Sequence, residues 1–203
     1  MHTRRSTASR RGRGREKKMT EPVELIGKDE GRGRPVTTYT GHAFFPLDPK
    51  PEEVCIRTIA QALSNLCRFN GHTKRFYSVA QHSVLVSLNV PPRYAKEALL
   101  HDAAEAYVGD MVRPMKAMIP QFNEIDKRVD SCIRERFGLP PKMSEEVRQA
   151  DNVACATEKR DLLNDPLFDW GFMPDPWPVV IKPVSPNNAY HMFMDRYEEV
   201  KND

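Results

Sequence analysis

Apolar side chains recur every three or four positions along much of this sequence, a spacing that places them on one face of an α-helix. In residues 52–66 the residues at this spacing are Val54, Ile56, Ile59, Ala60, Leu63 and Leu66. No segment shows the sustained alternation of apolar and polar residues that is typical of a half-buried strand. The pattern predicts an all-α fold, with a short extended or turn segment within residues 37–53.

Capping residues, glycine and proline mark the ends of the predicted helices. Ser78 and Gln81 stand in capping-box register, so a helix should begin at Ser78. Gly138 is a typical helix stop, Ser144 is a candidate N-cap, and Pro186 suits the first turn of a helix. The predicted helices span residues 52–66, 78–90, 92–107, 120–137, 144–163 and 185–200, with loops at residues 111–120 and 164–186.

Charge divides the chain into a basic tail and an acidic remainder. Residues 1–18 hold eight Arg or Lys residues and one Glu, a net charge of +7, so the rest of the chain carries about −4 of the total of +3. A tail rich in Arg, Gly and Ser buries too little apolar surface to fold, which predicts a disordered tail at residues 1–34 and one domain at residues 35–203. The tail could bind nucleic acid, but the acidic remainder argues against a nucleic-acid-binding domain.

The sequence also bears on the compartment of the protein. No apolar run approaches the roughly eighteen residues that a membrane span needs, and the N-terminal residues lack the apolar region of a signal peptide. The four cysteines, which form no CxxC pair, are Cys55, Cys67, Cys132 and Cys155. These features predict a cytoplasmic protein with reduced thiols and no membrane partner.

The segment ALLHDAAEAYVGD, residues 98–110, places ionisable side chains in a run that otherwise looks built for burial. His101 and Asp102 are adjacent and point about 100° apart on a helix, so both can lean toward a point between them. A metal ion is a natural occupant of such a point. Glu105 follows His101 by four residues and should lie on the same helix face, beside the site.

Two more residues strengthen the prediction of a metal site. His82 lies on the helix stripe of Ser78 and Val86, where a buried imidazole needs a polar partner. Asp151 follows Ala150 inside a predicted helix, where an aspartate is unfavourable unless something compensates it. Two imidazoles and two carboxylates from three helices suit one divalent ion, and Mn, Co, Fe, Ni, Zn and Mg remain open.

The ordered pattern of these residues resembles the HD-domain metal-dependent phosphohydrolases, and most closely the bacterial 5′-deoxynucleotidases and the phage-type deoxynucleotide phosphohydrolases. The similar motifs are RFNGHTKRFYSVAQHS, LLHDAAEAYVGD followed by RPMK, and ADNVACATE. The resemblance covers residues 37–200 and implies an HD-domain helical bundle and a homodimer. It also implies one metal ion, whose ligands are His82, His101, Asp102 and Asp151. Since no histidine lies between Asp102 and His191, the chain differs from the two-metal HD enzymes that act on cyclic dinucleotides.

The same resemblance implies roles for residues around the metal ligands. Glu105 resembles the acid that handles the proton of the attacking water, and Asp110 a carboxylate that contacts the substrate sugar. Arg68 matches an arginine that holds phosphate, and Phe69 stands where the nucleotidases carry an aromatic residue. Independently of the resemblance, the chemistry of phosphate transfer favours further basic side chains that neutralise charge growing on the phosphoryl group, and the candidates are His72, Lys74, Arg75 and Lys116.

The resemblance implies hydrolysis of a phosphate ester or anhydride of a small-molecule nucleotide, with a deoxynucleoside 5′-monophosphate as the first candidate. The loop RFNGHTKRF is more basic than a monophosphate requires, which favours a deoxynucleoside triphosphate triphosphohydrolase as the alternative. A third interpretation is a nucleic-acid-binding module, led by the basic tail, in which the HD site is vestigial.

Overall fold

The computed structural model describes residues 31–164, 170–171 and 173–202, so most of the predicted tail and part of the predicted loop at 164–186 lie outside the described residues. The strands are β1 Val36–Thr37 and β2 Ala43–Phe44. The α-helices of the described part are α1 Ile56–Asn65, α2 Val79–Leu88, α3 Ala95–Leu100, α4 Glu105–Val108, α5 Arg113–Lys116, α6 Pro120–Phe137, α7 Glu145–Leu162 and α8 Pro186–Val200. The prediction of an all-α fold is confirmed. None of these described helices is long and apolar enough to cross a membrane.

The two short strands form a hairpin where the sequence predicted an extended or turn segment. Strands β1 and β2 pair antiparallel, and the ring of the buried Phe44 stacks on Tyr107 with centroids 3.9 Å apart. Arg32, which the prediction assigned to the tail, forms ion pairs with Asp48 and Glu53, each at 2.7 Å. These contacts fasten the beginning of the described chain to the segments that follow it.

Helix α2 lies at the centre of the bundle, in contact with α1, α3, α7 and α8. Eight of its ten residues are buried, and apart from Gln81 and His82 its side chains are apolar or serine. A helix of this kind is stable when neighbours cover all its sides. The one ionisable side chain of α2, that of His82, is therefore held in the protein interior with 0 % exposure.

The predicted helix at residues 92–107 is interrupted at the site itself, so this prediction is wrong in detail. A 3₁₀ turn at Pro92–Tyr94 leads into α3, and a turn at residues 101–104 separates α3 from α4. The amide of Ala103 donates to Leu100, and that of Glu105 donates to Asp102, each at 3.0 Å. These bonds reach back three residues instead of four, so the chain tightens locally and turns its side chains through a larger angle per residue.

The prediction of a loop at residues 111–120 is also wrong, since the short helix α5 lies within it. The amides of Met115 and Lys116 both donate to the carbonyl of Val112. Pro114 stands in the first turn of α5, where its fixed φ favours a helix. The sequence did not predict this helix, because a helix of four residues is too short to show apolar periodicity and the two prolines of the segment favoured a loop.

Two predicted helix boundaries are confirmed by their hydrogen bonds and backbone angles. The hydroxyl of Ser78 accepts a bond of 3.1 Å from the amide of Gln81 at the start of α2. Gly138 ends α6 in the left-handed conformation with a φ of 65°, which glycine adopts without strain. Both boundaries depend on local chemistry, which explains why the sequence predicted them.

Ser144 stands at the N-cap of α7 as predicted, but its hydroxyl does not cap that helix. It donates instead to the carboxylate of Glu97 on α3 at 2.5 Å. Glu97 is 3 % exposed and also accepts from the guanidinium of Arg134 on α6 at 3.2 Å. This buried cluster ties α3 to α6 and to the start of α7.

Candidate metal centre

Three helical segments bring His82, His101 and Asp151 to one point in the protein interior. The Nε2 atom of His82 lies 3.3 Å from Nε2 of His101 and 3.3 Å from Oδ1 of Asp151. The Nε2 atom of His101 lies 3.9 Å from the same carboxylate oxygen. Ligand atoms of the three residues all lie within 4.8 Å of one another, so the group could hold a metal ion.

Hydrogen bonds set the orientation of both imidazole rings. The Nδ1 atom of His82 lies 2.6 Å from Oε1 of Glu158, and Nδ1 of His101 lies 2.7 Å from the carbonyl of Ala98. A carbonyl or an ionised carboxylate accepts hydrogen bonds and cannot donate them, so each Nδ1 carries a proton. In the neutral form of each ring the lone pair is then on Nε2, which faces the common point. This is the arrangement that metal-ligating histidines use.

Asp102, the fourth predicted ligand, adjoins this group of three. Its Oδ2 atom lies 3.3 Å from Nε2 of His101 and 3.5 Å from Nε2 of His82. The same oxygen lies 3.5 Å from Nη1 of Arg68. The carboxylate therefore stands between the imidazoles and a guanidinium.

Glu158 is the buried acid that the sequence analysis missed. It lies on α7 with 0 % exposure and accepts a 3.0 Å bond from Nη2 of Arg68 as well as the bond from His82. A signal for it exists in the sequence, since Glu158 follows Asp151 by seven residues and shares its helix face in a run of Ala, Cys and Thr. The partner that a buried His82 needs is this carboxylate.

The charges of the centre raise the pKa of His82 and lower the pKa values of Glu158 and Asp151. Burial and the Arg68 charge oppose protonation of His82, but the carboxylates of Glu158 and Asp151 outweigh them and raise its pKa to about 9. Burial acts to raise the pKa of Glu158, yet Arg68 and His82 lower it to about 2. Burial acts likewise on Asp151, and the hydrogen bond from His82 with the charge of His101 holds its pKa well below the usual range.

Glu105 and Asp110 form an acidic edge beside the metal ligands. Burial, with the charges of Asp102 and Asp110, raises the pKa of Glu105 well above its usual range. Its buried Oε2 atom has no hydrogen-bond partner among the described residues. Burial also raises the pKa of Asp110, against the opposing charge of Arg68. Both carboxyl groups therefore keep a proton to a higher pH than an exposed carboxyl group does, a shift that is common among acids that transfer protons.

Next to this edge lies a cavity of about 250 Å³. The residues that line it are Asn70, Val108, Gly109, Asp110, Met111, Val112 and Met115. Phe69, predicted to contact substrate, precedes Asn70 and adopts a left-handed backbone with a φ of 54°. The guanidinium carbon of Arg68 lies 5.4 Å from the centre of its ring, and the ring of Trp170 lies at 6.4 Å.

The other predicted substrate residues are basic, and among the described contacts none of them forms a hydrogen bond or ion pair with the candidate metal ligands, although the charge of Lys116 acts on Asp102 and Glu105. His72 and Lys74 are exposed, and in the described part of the chain neither side chain forms a hydrogen bond or ion pair with the metal centre. Lys116 forms an ion pair of 2.8 Å with Asp126. Arg113, which the sequence analysis did not single out, reaches Asp151 with Nη2 at 3.3 Å from Oδ2.

The fold and the site define a class: an all-α protein with a buried His–His–Asp group that could hold a metal ion. The chain is 42 % identical over 176 residues to the uncharacterized protein YfdR of Escherichia coli, covering 81 % of this chain and 94 % of that protein. It is also 37 % identical over 131 residues to an uncharacterized protein of Rhodobacter capsulatus, covering 60 % of this chain and 67 % of that protein. The chain belongs to the family of these two proteins. No family model matches it.

Proposed function

We propose that this protein is a metal-dependent phosphohydrolase of the HD-domain kind that hydrolyses a deoxynucleoside 5′-monophosphate. The observation that carries the proposal is the convergence of His82, His101 and Asp151 within 4.8 Å of one another. The guanidinium of Arg68 and the half-buried carboxyl group of Glu105, whose pKa is raised, lie beside this group. A Lewis acid, an anion-binding cation and a proton-transfer group are the three components that hydrolysis of a phosphate ester uses.

The residues of the centre fit a divalent transition-metal ion. His82 and His101 would offer their Nε2 atoms, since each Nδ1 already donates to an oxygen. Asp151 and Asp102 would add carboxylate oxygens. Mixed imidazole and carboxylate donors suit Mn, Fe, Co, Ni or Zn better than Mg. Such an ion, when bound, lowers the pKa of a water molecule and polarises a phosphoryl oxygen.

The side chains beside the ligands would then transfer the proton and bind the phosphoryl group. The raised pKa of Glu105 lets its carboxyl group take a proton from the attacking water or deliver one to the leaving oxygen. Arg68 keeps donors that its carboxylate partners leave unused, among them the buried Nε atom, and these can bind a phosphoryl oxygen. The arrangement stabilises negative charge as it grows on the phosphoryl group.

The cavity beside Asp110 suits the nucleoside part of the substrate. Asp110 and Asn70 offer polar groups for sugar hydroxyls, whereas Val108 and Met111 offer apolar surface for a base. A pocket with apolar walls and a few polar groups is typical of small-molecule sites.

One observation favours a triphosphate substrate as the second candidate. Arg113 is 71 % exposed and touches Asp151 from the open side of the centre, and Lys74 is exposed in the loop after Arg68. A triphosphate carries more negative charge than a monophosphate, and these exposed cations could neutralise it.

The proposal is tested by incubating the full chain with a panel of nucleotides and deoxynucleotides and with Mn²⁺, Co²⁺, Mg²⁺ or Zn²⁺. Release of orthophosphate from deoxynucleoside monophosphates is the expected result, whereas release of triphosphate from deoxynucleoside triphosphates would select the second candidate. Asp102→Ala should abolish turnover and weaken metal binding, while the exposed control Asp195→Ala should do neither. Failure to hydrolyse any nucleotide, or full activity of Asp102→Ala, would contradict the proposal.

A further inference from the structure

The carboxylate of Glu158 contacts two different side chains of the candidate site. Its Oε1 atom is 2.6 Å from Nδ1 of His82, and its Oε2 atom is 3.0 Å from Nη2 of Arg68. The side chain is 0 % exposed, so no water competes for either oxygen. One carboxylate thus contacts a candidate metal ligand and the candidate phosphate-binding arginine at the same time.

Arg68 has a second carboxylate within reach, and that carboxylate belongs to the metal centre. Its Nη1 atom lies 3.5 Å from Oδ2 of Asp102, a longer distance than the 3.0 Å to Glu158. The same Oδ2 atom lies 3.3 Å from Nε2 of His101. A divalent cation held by the two histidines and Asp151 would therefore share the carboxylate of Asp102 with the guanidinium of Arg68.

A guanidinium that moved closer to Asp102 would hinder a metal ion there. Two positive charges repel each other strongly inside a protein, where the surroundings screen them less than water does. Arg68 is 13 % exposed at its side chain and cannot leave its charge uncompensated. The position of the guanidinium thus depends on which of its two carboxylates holds it more firmly.

We propose that Glu158 is a positioning residue that holds the Arg68 guanidinium off the carboxylates of the metal centre while it orients the imidazole of His82. This inference rests on the metal centre of the proposed function and is independent of the substrate. It gives Glu158, which the sequence analysis did not single out, a role that neither Arg68 nor His82 can perform alone. The negative charge of Glu158 matters to metal binding, in addition to its hydrogen bonds.

The variant Glu158→Gln separates the charge from the hydrogen bond to His82. The amide oxygen of glutamine can still accept from Nδ1 of His82, but the side chain no longer balances Arg68. Arg68 should then move toward Asp102 and compete with the ion. Full-length wild type, Glu158→Gln, Arg68→Gln and the double variant should be titrated with Mn²⁺ by calorimetry in the absence of nucleotide.

Glu158→Gln should bind Mn²⁺ about 10- to 100-fold more weakly than wild type, the range typical for residues that support metal ligands. Arg68→Gln should bind it no more weakly than wild type. The double variant should return to within about threefold of wild type, because no unbalanced guanidinium remains. Wild-type Mn²⁺ affinity in Glu158→Gln, or a double variant as weak as Glu158→Gln, would overturn the inference.

A matched control separates positioning from simple loss of stability. Glu97 is also a buried acid paired with an arginine, at 3.2 Å from Arg134, but it lies in the cluster that joins α3, α6 and α7. Glu97→Gln should lower the melting temperature and leave the Mn²⁺ affinity unchanged. If Glu158→Gln alone does not fold, the double variant decides, since it removes both charges together: wild-type Mn²⁺ affinity supports the inference and lost affinity overturns it.

The outcomes also distinguish this inference from the proposed function. A wild-type protein that binds Mn²⁺ and hydrolyses no nucleotide would contradict the function and leave the effect of Glu158 on metal binding measurable. A wild-type protein that binds no divalent ion would contradict both.

Discussion

The imidazole of His82 connects the chemistry of the centre to the stability of the fold. It is buried at the middle of α2 and has acids on both ring nitrogens, Glu158 at Nδ1 and Asp151 at Nε2. Without a metal ion, these acids keep the ring protonated to a higher pH than usual and raise its pKa from 6.5 to about 9. The folded chain therefore holds a proton that the unfolded chain releases earlier as the pH rises.

We predict that the protein treated with a chelator loses stability between pH 6.5 and about 9. Below pH 6.5 both states are protonated and the contribution of His82 is fully present, whereas above its folded pKa the contribution is gone. The free energy of unfolding should fall by up to about 3 kcal/mol over this interval. Urea denaturation at a series of pH values measures it.

Saturating Mn²⁺ should reverse the slope, because a metal ion binds the neutral ring and metal binding strengthens as the proton leaves. A stability that does not change with pH in chelator would contradict the assigned protonation of His82.

A substitution of Glu105 tests proton transfer separately from metal binding. Glu105→Gln keeps the size of the side chain and removes its ability to exchange a proton. We expect kcat to fall by about 10²- to 10⁴-fold while Mn²⁺ affinity stays at the wild-type value. Steady-state kinetics and a Mn²⁺ titration on the same preparation measure the two effects, and an unchanged kcat would exclude Glu105 from the reaction.

At the scale of the elements, the interruption between α3 and α4 places the acidic edge. The turn at residues 101–104 changes the direction of the side chains between His101 and Glu105, and Gly109 then ends α4 with φ 85° and ψ 155°. This backbone region is essentially restricted to glycine. This change of chain direction at Gly109 places the following residue, Asp110, in the lining of the cavity.

Gly109→Ala should therefore affect the substrate more than the metal. A Cβ atom at this position would meet no atom within 4 Å, so the expected loss of about 1–3 kcal/mol comes from backbone strain alone. We expect a higher KM, because Asp110 shifts, and an unchanged Mn²⁺ affinity.

The control for this substitution is Gly138→Ala, which also replaces a glycine of positive φ with no atom within 4 Å of the added Cβ. It should lower the melting temperature and leave KM unchanged. Equal KM values for both variants would contradict a role of Asp110 in substrate binding.

At the scale of the whole molecule, we predict that the basic tail can be removed without loss of the activity of the candidate centre. Residues 1–18 carry a net charge of +7, and the candidate metal ligands lie among the described residues. We expect a chain without residues 1–18 to keep the kcat/KM of the full chain at physiological salt, because no described contact of the centre depends on the tail.

Nucleotide hydrolysis and binding of single-stranded DNA, measured at several salt concentrations on both chains, check this prediction. Any binding of nucleic acid should disappear with the tail and weaken with salt. Loss of hydrolysis on deletion would favour the interpretation in which the tail leads the function.

Local patterns determined the parts of this protein that depend on neighbours in sequence. The all-α fold, the helix start at Ser78 and the stop at Gly138 follow from periodicity, capping and backbone freedom, which act over a few residues. The sequence also predicted His82, His101 and Asp151 as site residues, because an ionisable side chain in an apolar helix implies a partner even when that partner is unknown.

The tertiary structure decided which partners those are. Glu158 and Arg113 lie far along the chain from the groups that they contact, and the interruption at residues 101–104 and the helix α5 are too short for any periodicity to predict. Contacts between distant segments form only when the helices pack, and a short turn is set by the surfaces around it. The sequence by itself thus determined the helices and which ionisable groups they bury, whereas packing decided how those groups balance one another's charge.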